Sequence, residues 1–218
     1  MPRRVGCVLV VVLLAGGAPV IAACGDDDGQ PSAPTTRPIV RSLQAGGLTL
    51  LMRHAPSDTS ITQQERLSSC ATQRNLTVAG REQARAVGRA IRALRIPIGQ
   101  VRASPLCRTR DTARLAFGRA TLDRMLVNTG ILGTLADDRR RGDALRAFVR
   151  RPPPAGENTV LVTHTPNIAA ASGEEDVEEG ETLVLGRGGR IIGRVEAERW
   201  PALSGASKPK PPAPAGGY

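Results

Sequence analysis

Two continuous apolar runs, Leu48-Thr49-Leu50-Leu51-Met52 and Thr159-Val160-Leu161-Val162, each lead into a histidine at a turn, and the chain contains 2 histidines in all. The first run passes through Arg53 to His54 and breaks at Ala55-Pro56. The second passes through Thr163 to His164 and breaks at Thr165-Pro166-Asn167. Apolar runs without alternation predict strands buried on both faces, the condition of parallel strands in α/β proteins. Ligands of open α/β sheets gather at the carboxyl ends of such strands. One histidine at a strand end is ordinarily a packed or surface residue. Two of them, one directly after an arginine, form a group suited to phosphate.

The remaining pattern alternates strands with helices. Strand Leu48–Arg53 leads through a long loop to a helix over 77–94, whose positions Val78, Ala84, Val87, Ile91 and Leu94 approximate a 3.6 period and are expected to face inward. Pro97 stops it. A strand over 100–104 runs into Pro105-Leu106-Cys107-Arg108, the turn and start of a helix ending near Phe117. Amides at a helix start favour anions, so Arg108 occupies the same kind of junction as the histidines. A helix over 140–150, with Leu145, Phe148 and Val149 inward, precedes Pro152-Pro153-Pro154 and strand Thr159–Thr163. A short helix after Pro166 and a hairpin of 181–185 with 190–195 complete the order. The expectation is an α/β fold, a three-layer α/β/α sandwich around a mostly parallel central sheet.

Four stretches in order resemble the histidine phosphatase superfamily, the branch containing phosphoglycerate mutases and small phosphohistidine phosphatases. They are Leu51-Met52-Arg53-His54-Ala55, Asn75-Leu76-Thr77-Val78-Ala79-Gly80-Arg81-Glu82-Gln83-Ala84, Ala103-Ser104-Pro105-Leu106-Cys107-Arg108-Thr109-Arg110-Asp111-Thr112-Ala113 and Leu161-Val162-Thr163-His164. The stretches run from Leu51 to His164, and the resemblance covers roughly residues 48 to 195. Ala55 stands where the family usually has glycine, and a positive φ there would strain it. The resemblance implies a phosphoglycerate mutase-like fold and a phosphomonoester hydrolase. It makes His54 the nucleophile that forms a phosphohistidine, with Arg53, Arg108 and a protonated His164 binding the phosphoryl oxygens. The residue types suit that chemistry, because a guanidinium fork matches phosphate bidentately and preorganised positive donors stabilise charge spread over the equatorial oxygens. No metal or other cofactor is implied.

The family's leaving-group acid is open in this sequence. Asp137 and Asp138 follow Arg108 at about the expected separation, and Asp123 and Glu181 are further candidates. Adjacent aspartates before a helix are also ordinary capping and first-turn residues.

The ends of the chain bear on location. Arg3 and Arg4 precede 19 uncharged residues, Val5 to Ala23, which end in Ile21-Ala22-Ala23-Cys24. This reads as a signal peptide over 1–23 with a lipobox-like ending, Cys24 being lipidated; an uncleaved membrane anchor is the alternative. The expected organisation is then a flexible, lipid-anchored tether over 24–44, a catalytic domain over 45–202 and a disordered Pro/Ala/Lys tail over 203–218. The expected location is the extracytoplasmic side of the cell membrane. Cys70 and Cys107 remain as an even pair, read as a disulfide or as two buried thiols. The disulfide would close about 37 residues beside the phosphate pocket and stabilise the fold by roughly 4 kcal/mol.

Charge excludes less than its size suggests. Of a net +10, the signal removes two, and much of the rest lies on arginine-rich helices, including Arg81, Arg85, Arg89, Arg92 and Arg95. With 1 Trp, 1 Tyr and 2 Phe there is no aromatic platform for bases, so nucleic acid is not an expected partner. Anionic lipid head groups and small phosphorylated substrates suit this charge better. The acidic run Glu174-Glu175-Asp176-Val177-Glu178-Glu179 is either a solvated loop or part of the pocket rim. The function expected is an extracytoplasmic, membrane-tethered phosphomonoesterase. The alternatives are a phosphoglycerate mutase-like phosphotransferase and a catalytically degenerate phosphate-ligand-binding lipoprotein.

Overall fold

A computed structural model describes residues 36–61, 66–127 and 132–205. The segment read as a signal, Cys24, the first part of the expected tether and residues 206–218 lie outside the described residues. Six strands form one sheet: β1 (Thr49–Arg53), β2 (Ile98–Ala103), β3 (Thr121–Leu122), β4 (Asn158–Thr163), β5 (Thr182–Leu185) and β6 (Ile191–Val195). Their order is β3-β2-β4-β1-β5-β6. β1 with β4, β4 with β2, and β2 with β3 pair parallel, whereas β5 and β6 add an antiparallel edge beside β1.

The apolar runs fill both faces, as their lack of alternation requires. Leu50, Met52, Val160 and Val162 point into one core with residues of α2 (Val78–Ala93) and α3 (Cys107–Phe117). Leu51 and Leu161 point into the opposite core with Leu145 and Val149 of α4 (Leu135–Arg150) and Ile168 of α5 (Thr165–Ser172). Successive strand residues face opposite sides, so one run serves two cores. The result is the expected three-layer α/β/α sandwich with a mostly parallel sheet.

Three expectations need correction. Residues 36–44, read as tether, belong largely to α1 (Thr36–Ala45), whose Leu43 is 0 % exposed in the first core. Asn158 Nδ2 donates to Leu43 O at 2.7 Å, and Gln44 Nε2 donates to Leu94 O at 2.8 Å. Pro38 gives this stretch the look of a linker, yet it lies in the first helical turn, where the missing N–H is no loss. At the other end α6 (Arg199–Leu203), which buries Trp200, runs one residue past the expected domain end at 202. Val78, read as inward, is 74 % exposed because it is the first residue of α2, ahead of the turns that pack on the sheet. Among the described residues, no helix is long and apolar enough to cross a membrane.

Candidate active site

Parallel pairing of three adjacent strands brings the motif residues together. Arg53 is opposite Thr163 and Ala103 is opposite Val162, so the carboxyl ends of β1, β4 and β2 finish at one level. The next residue of each chain segment is His54, His164 or Ser104. His54 N–H donates to Thr163 O at 3.1 Å, and Ser104 N–H donates to Val162 O at 3.1 Å. The two imidazole rings stand 5.3 Å apart, edge to face.

Arg108 enters from the first turn of α3. Its Nε–H donates to His54 Nε2 at 3.2 Å, while His54 Nδ1 bonds Ala55 O at 2.9 Å. A carbonyl only accepts, so the proton sits on Nδ1 and Nε2 carries the lone pair. His54, Arg108 and His164 are 6 %, 3 % and 2 % exposed. Burial, then the positive charges of Arg108, Arg53 and Arg74, push His54 down to about 3, against a hydrogen bond to Ala55 that acts the other way. His164 is also held well below the ordinary histidine range, by burial first and then by His54, Arg108 and Arg53. Both rings are therefore neutral at pH 7 without a bound anion. The expectation of a His164 cation is corrected, since burial and the neighbouring positive groups keep the ring neutral. Ser104 Oγ meets His164 Nε2 at 3.1 Å; His164 Nδ1 is buried without a hydrogen-bond partner.

Arg53 lies at the edge of this group. Its Nη1 donates to Val177 O at 2.7 Å, its Nη2 lies 3.7 Å from Glu179 Oε1, and its buried Nε has no hydrogen-bond partner. Ala55 takes the family's glycine position without strain: among described non-glycine residues Arg95 has the positive φ, and Ala55 is not in that region. Ala55 N–H donates at 3.1 Å to Thr112 Oγ1, which itself donates to Arg108 O at 2.7 Å. One hydroxyl thus ties the loop after His54 to the turn that aims Arg108.

The cysteines are joined, Cys70 to Cys107, with Cα atoms 5.8 Å apart. Gln73 reinforces the link, since Cys107 N–H donates to its Oε1 at 2.7 Å. The segment 70–74 is thereby fastened to the start of α3. That explains how Arg74, which carried no motif signal of its own, comes to act electrostatically on His54.

The acid candidates are mostly occupied elsewhere. Asp137 closes a capping box with Thr134 and pairs with Arg140; the Thr134 N–H and hydroxyl and that guanidinium hold its carboxyl down at about 2. Such a group is a poor proton donor, which corrects its candidacy. Asp138 pairs with Arg141 one turn along α4. Asp123 accepts from Met125 N–H at 2.9 Å, capping the turn after β3, and faces Arg102 at 2.9 Å. Glu181 is gripped by Arg194 at 2.7 Å; burial alone would raise its carboxyl, but Arg194 and the Glu178 N–H keep it low. Among the described residues, the carboxylate that does approach His54 is Glu179, from the acidic run. Its Oε1 is 3.8 Å from His54 Nδ1 and accepts from Ser57 Oγ at 3.1 Å. The pocket-rim reading of that run is the one this geometry supports.

Residues 49–127 match the histidine phosphatase superfamily (branch 1). Among solved structures, TTHB049 from Thermus thermophilus is 21% identical, over 68% of this chain and 98% of its own, with a TM-score of 0.50. SixA from Agrobacterium tumefaciens is 17% identical over 69% of this chain and 97% of its own, with a TM-score of 0.49. A phosphoserine phosphatase from Entamoeba histolytica, solved with 3-phosphoglyceric acid, is 14% identical over 68% and 96%, with a TM-score of 0.48. At these identities the TTHB049 likeness speaks for the fold alone, and the other two fall below a TM-score of 0.5. No curated protein matches the chain. The matched segment runs from β1 past the Arg108 turn, and over residues 49–127 the chain is similar to the histidine phosphatase superfamily, branch 1.

Proposed function

We propose that this protein hydrolyses small phosphomonoesters through a phosphohistidine on His54. The observation that carries the reading is the Arg108 Nε–His54 Nε2 contact of 3.2 Å beside a second buried imidazole. A neutral Nε2 lone pair is what attack on phosphorus requires. Substrate phosphate would draw the Arg108 N–H onto its own oxygens and release that lone pair. Arg53 Nε would supply a second donor, and His164, protonated as the dianion arrives, a third. The N–P bond forms at Nε2 as the ester P–O bond breaks. Its electron pair goes to the leaving oxygen, which takes up a proton. Water then attacks the phosphohistidine, the N–P pair returns to Nε2, and inorganic phosphate leaves. All positive charge in this scheme comes from side chains, so the proposal includes turnover without metal.

With Asp137 held at about 2, esters with good leaving groups are the preferred first substrates. Hydrolysis of p-nitrophenyl phosphate in EDTA, abolished by His54→Ala, supports the reading. An acid-labile phosphoenzyme should be trapped in the wild type and not in that variant. Folded wild-type protein without turnover between pH 4 and 8, yet binding vanadate, would instead make it a phosphate-binding member of the family. The occupied acid candidates are what keep that second reading in view.

The proposal also sets the domain outside the cytoplasm, tethered through Cys24. Its support is the basic start, the uncharged stretch and Ile21-Ala22-Ala23-Cys24. Fatty-acid labelling that is lost in Cys24→Ser tests it; unlabelled wild-type protein in the producing cell sinks it.

A further inference from the structure

The three arginines that suit the site to phosphate create a difficulty for its nucleophile. When neutral Nε2 bonds to phosphorus, Nδ1 keeps its proton and the ring itself becomes cationic. Arg53, Arg74 and Arg108 all oppose that charge, as does burial. Ala55 O meets the Nδ1 proton at 2.9 Å but supplies a dipole, not a charge.

Resting on the phosphohistidine reading above, we infer that Glu179 is a positioning residue for His54: its carboxylate, behind the ring, stabilises the imidazolium formed on phosphorylation and restrains Arg53 until phosphate arrives. Four observations support this. Glu179 Oε1 lies 3.8 Å from His54 Nδ1 and 3.7 Å from Arg53 Nη2. Ser57 Oγ–H holds that same oxygen at 3.1 Å. The backbone delivers it accurately, because Gly180 N–H donates to His54 O at 2.9 Å and Arg53 N–H donates to Glu181 O at 3.0 Å. Finally, the turn that permits this pairing has φ +86° at Gly180, a conformation favouring glycine, and a Cβ there would lie 2.1 Å from Gln83 Oε1. The acidic side chain facing the nucleophile is thus built in by two backbone bonds and a hydroxyl.

The carboxylate has opposite effects on the two stages of reaction. It competes with a substrate anion for Arg53 and repels it, so it weakens ground-state binding. It favours the positive ring, so it speeds N–P bond formation. Removing its charge should therefore split the two. Glu179→Gln is expected to bind vanadate and inorganic phosphate about threefold or more tightly, while burst-phase phosphorylation by p-nitrophenyl phosphate slows about tenfold or more. Glu179→Asp should retain part of the rate, and Ser57→Ala, which frees the carboxylate, should shift both quantities in the same directions by less.

Structural damage would weaken binding and slow phosphorylation together. That joint loss, or no change in either quantity, would overturn the inference. If the wild type forms no His54-dependent phosphoenzyme, the parent reading fails first, and the inference falls with it. A normal wild-type burst with an unaltered Glu179→Gln burst removes the inference alone.

Discussion

His54 is a base whose surroundings suppress protonation but leave its lone pair directed at the site. With its protonation pushed down to about 3, the ring stays neutral far below the pH at which an ordinary histidine charges. The kcat/KM for p-nitrophenyl phosphate, corrected for the substrate's own ionisation, should hold down to about pH 4; a tenfold fall per unit beginning near 6.5 would show a solvent-exposed ring instead. The same shift has a stability consequence. Between about 6.5 and about 3 an unfolded His54 binds a proton that the folded one refuses, so stability is lost as pH falls through that window. Urea midpoints measured from pH 7 to 4 should decline, and His54→Gln should flatten that decline. At Arg108, loss of the guanidinium in Arg108→Ala should reduce kcat/KM by about 10²–10³ with the fold intact. Asp137→Asn should leave kcat unaltered, since its carboxylate caps a helix.

At the scale of elements, the site depends on how closely α2 and the loop after β1 approach. Thr77 caps α2 by accepting from Gly80 N–H at 3.0 Å, and its own N–H donates to Pro56 O at 3.0 Å. A Cβ on Gly80 would lie 2.1 Å from Pro56 O, so the helix could not sit where it does with any side chain there. The Leu76-Thr77-x-x-Gly80 pattern is thus a clamp on the residues after His54. Thr77→Ala should cost about 1 kcal/mol of stability, and its effect on kcat should be larger than its effect on denaturation predicts. Gly88 serves similarly between helices, a Cβ there lying 2.0 Å from Ala116 O. Gly88→Ala should destabilise by about 1–3 kcal/mol, read as a lower urea midpoint, while the phosphate site keeps its affinity in whatever remains folded.

Across the whole molecule, the Cys70–Cys107 bond joins the excursion between β1 and α2 to the helix carrying Arg108, a separation of 37 residues. Chain entropy gives it about 4 kcal/mol, so reduction should lower the urea midpoint substantially. Reduced protein should also bind phosphate less tightly, because Arg74 travels with that segment. Equal midpoints with and without dithiothreitol would refute the stability assignment. The two cores flanking the sheet are tied less directly to the chemistry; they keep β1, β2 and β4 parallel and level.

Much of this was legible in the chain. Unalternating runs ending in histidine announced doubly covered strands, and the ordered motifs announced the likeness that residues 49–127 carry, because local pattern reports burial and short-range turns directly. Helix α1 was not legible, since Pro38 and the polar residues before it resemble a linker until Leu43 has a core to enter. Glu179 was equally hidden: an acidic run has the same sequence whether it faces water or a nucleophile. Strand identity, turn chemistry and the order of the motifs were determined by the sequence itself. Which carboxylate reached His54 and where Arg74 came to rest were decided only by tertiary structure, because each depends on pairing between segments far apart in the chain.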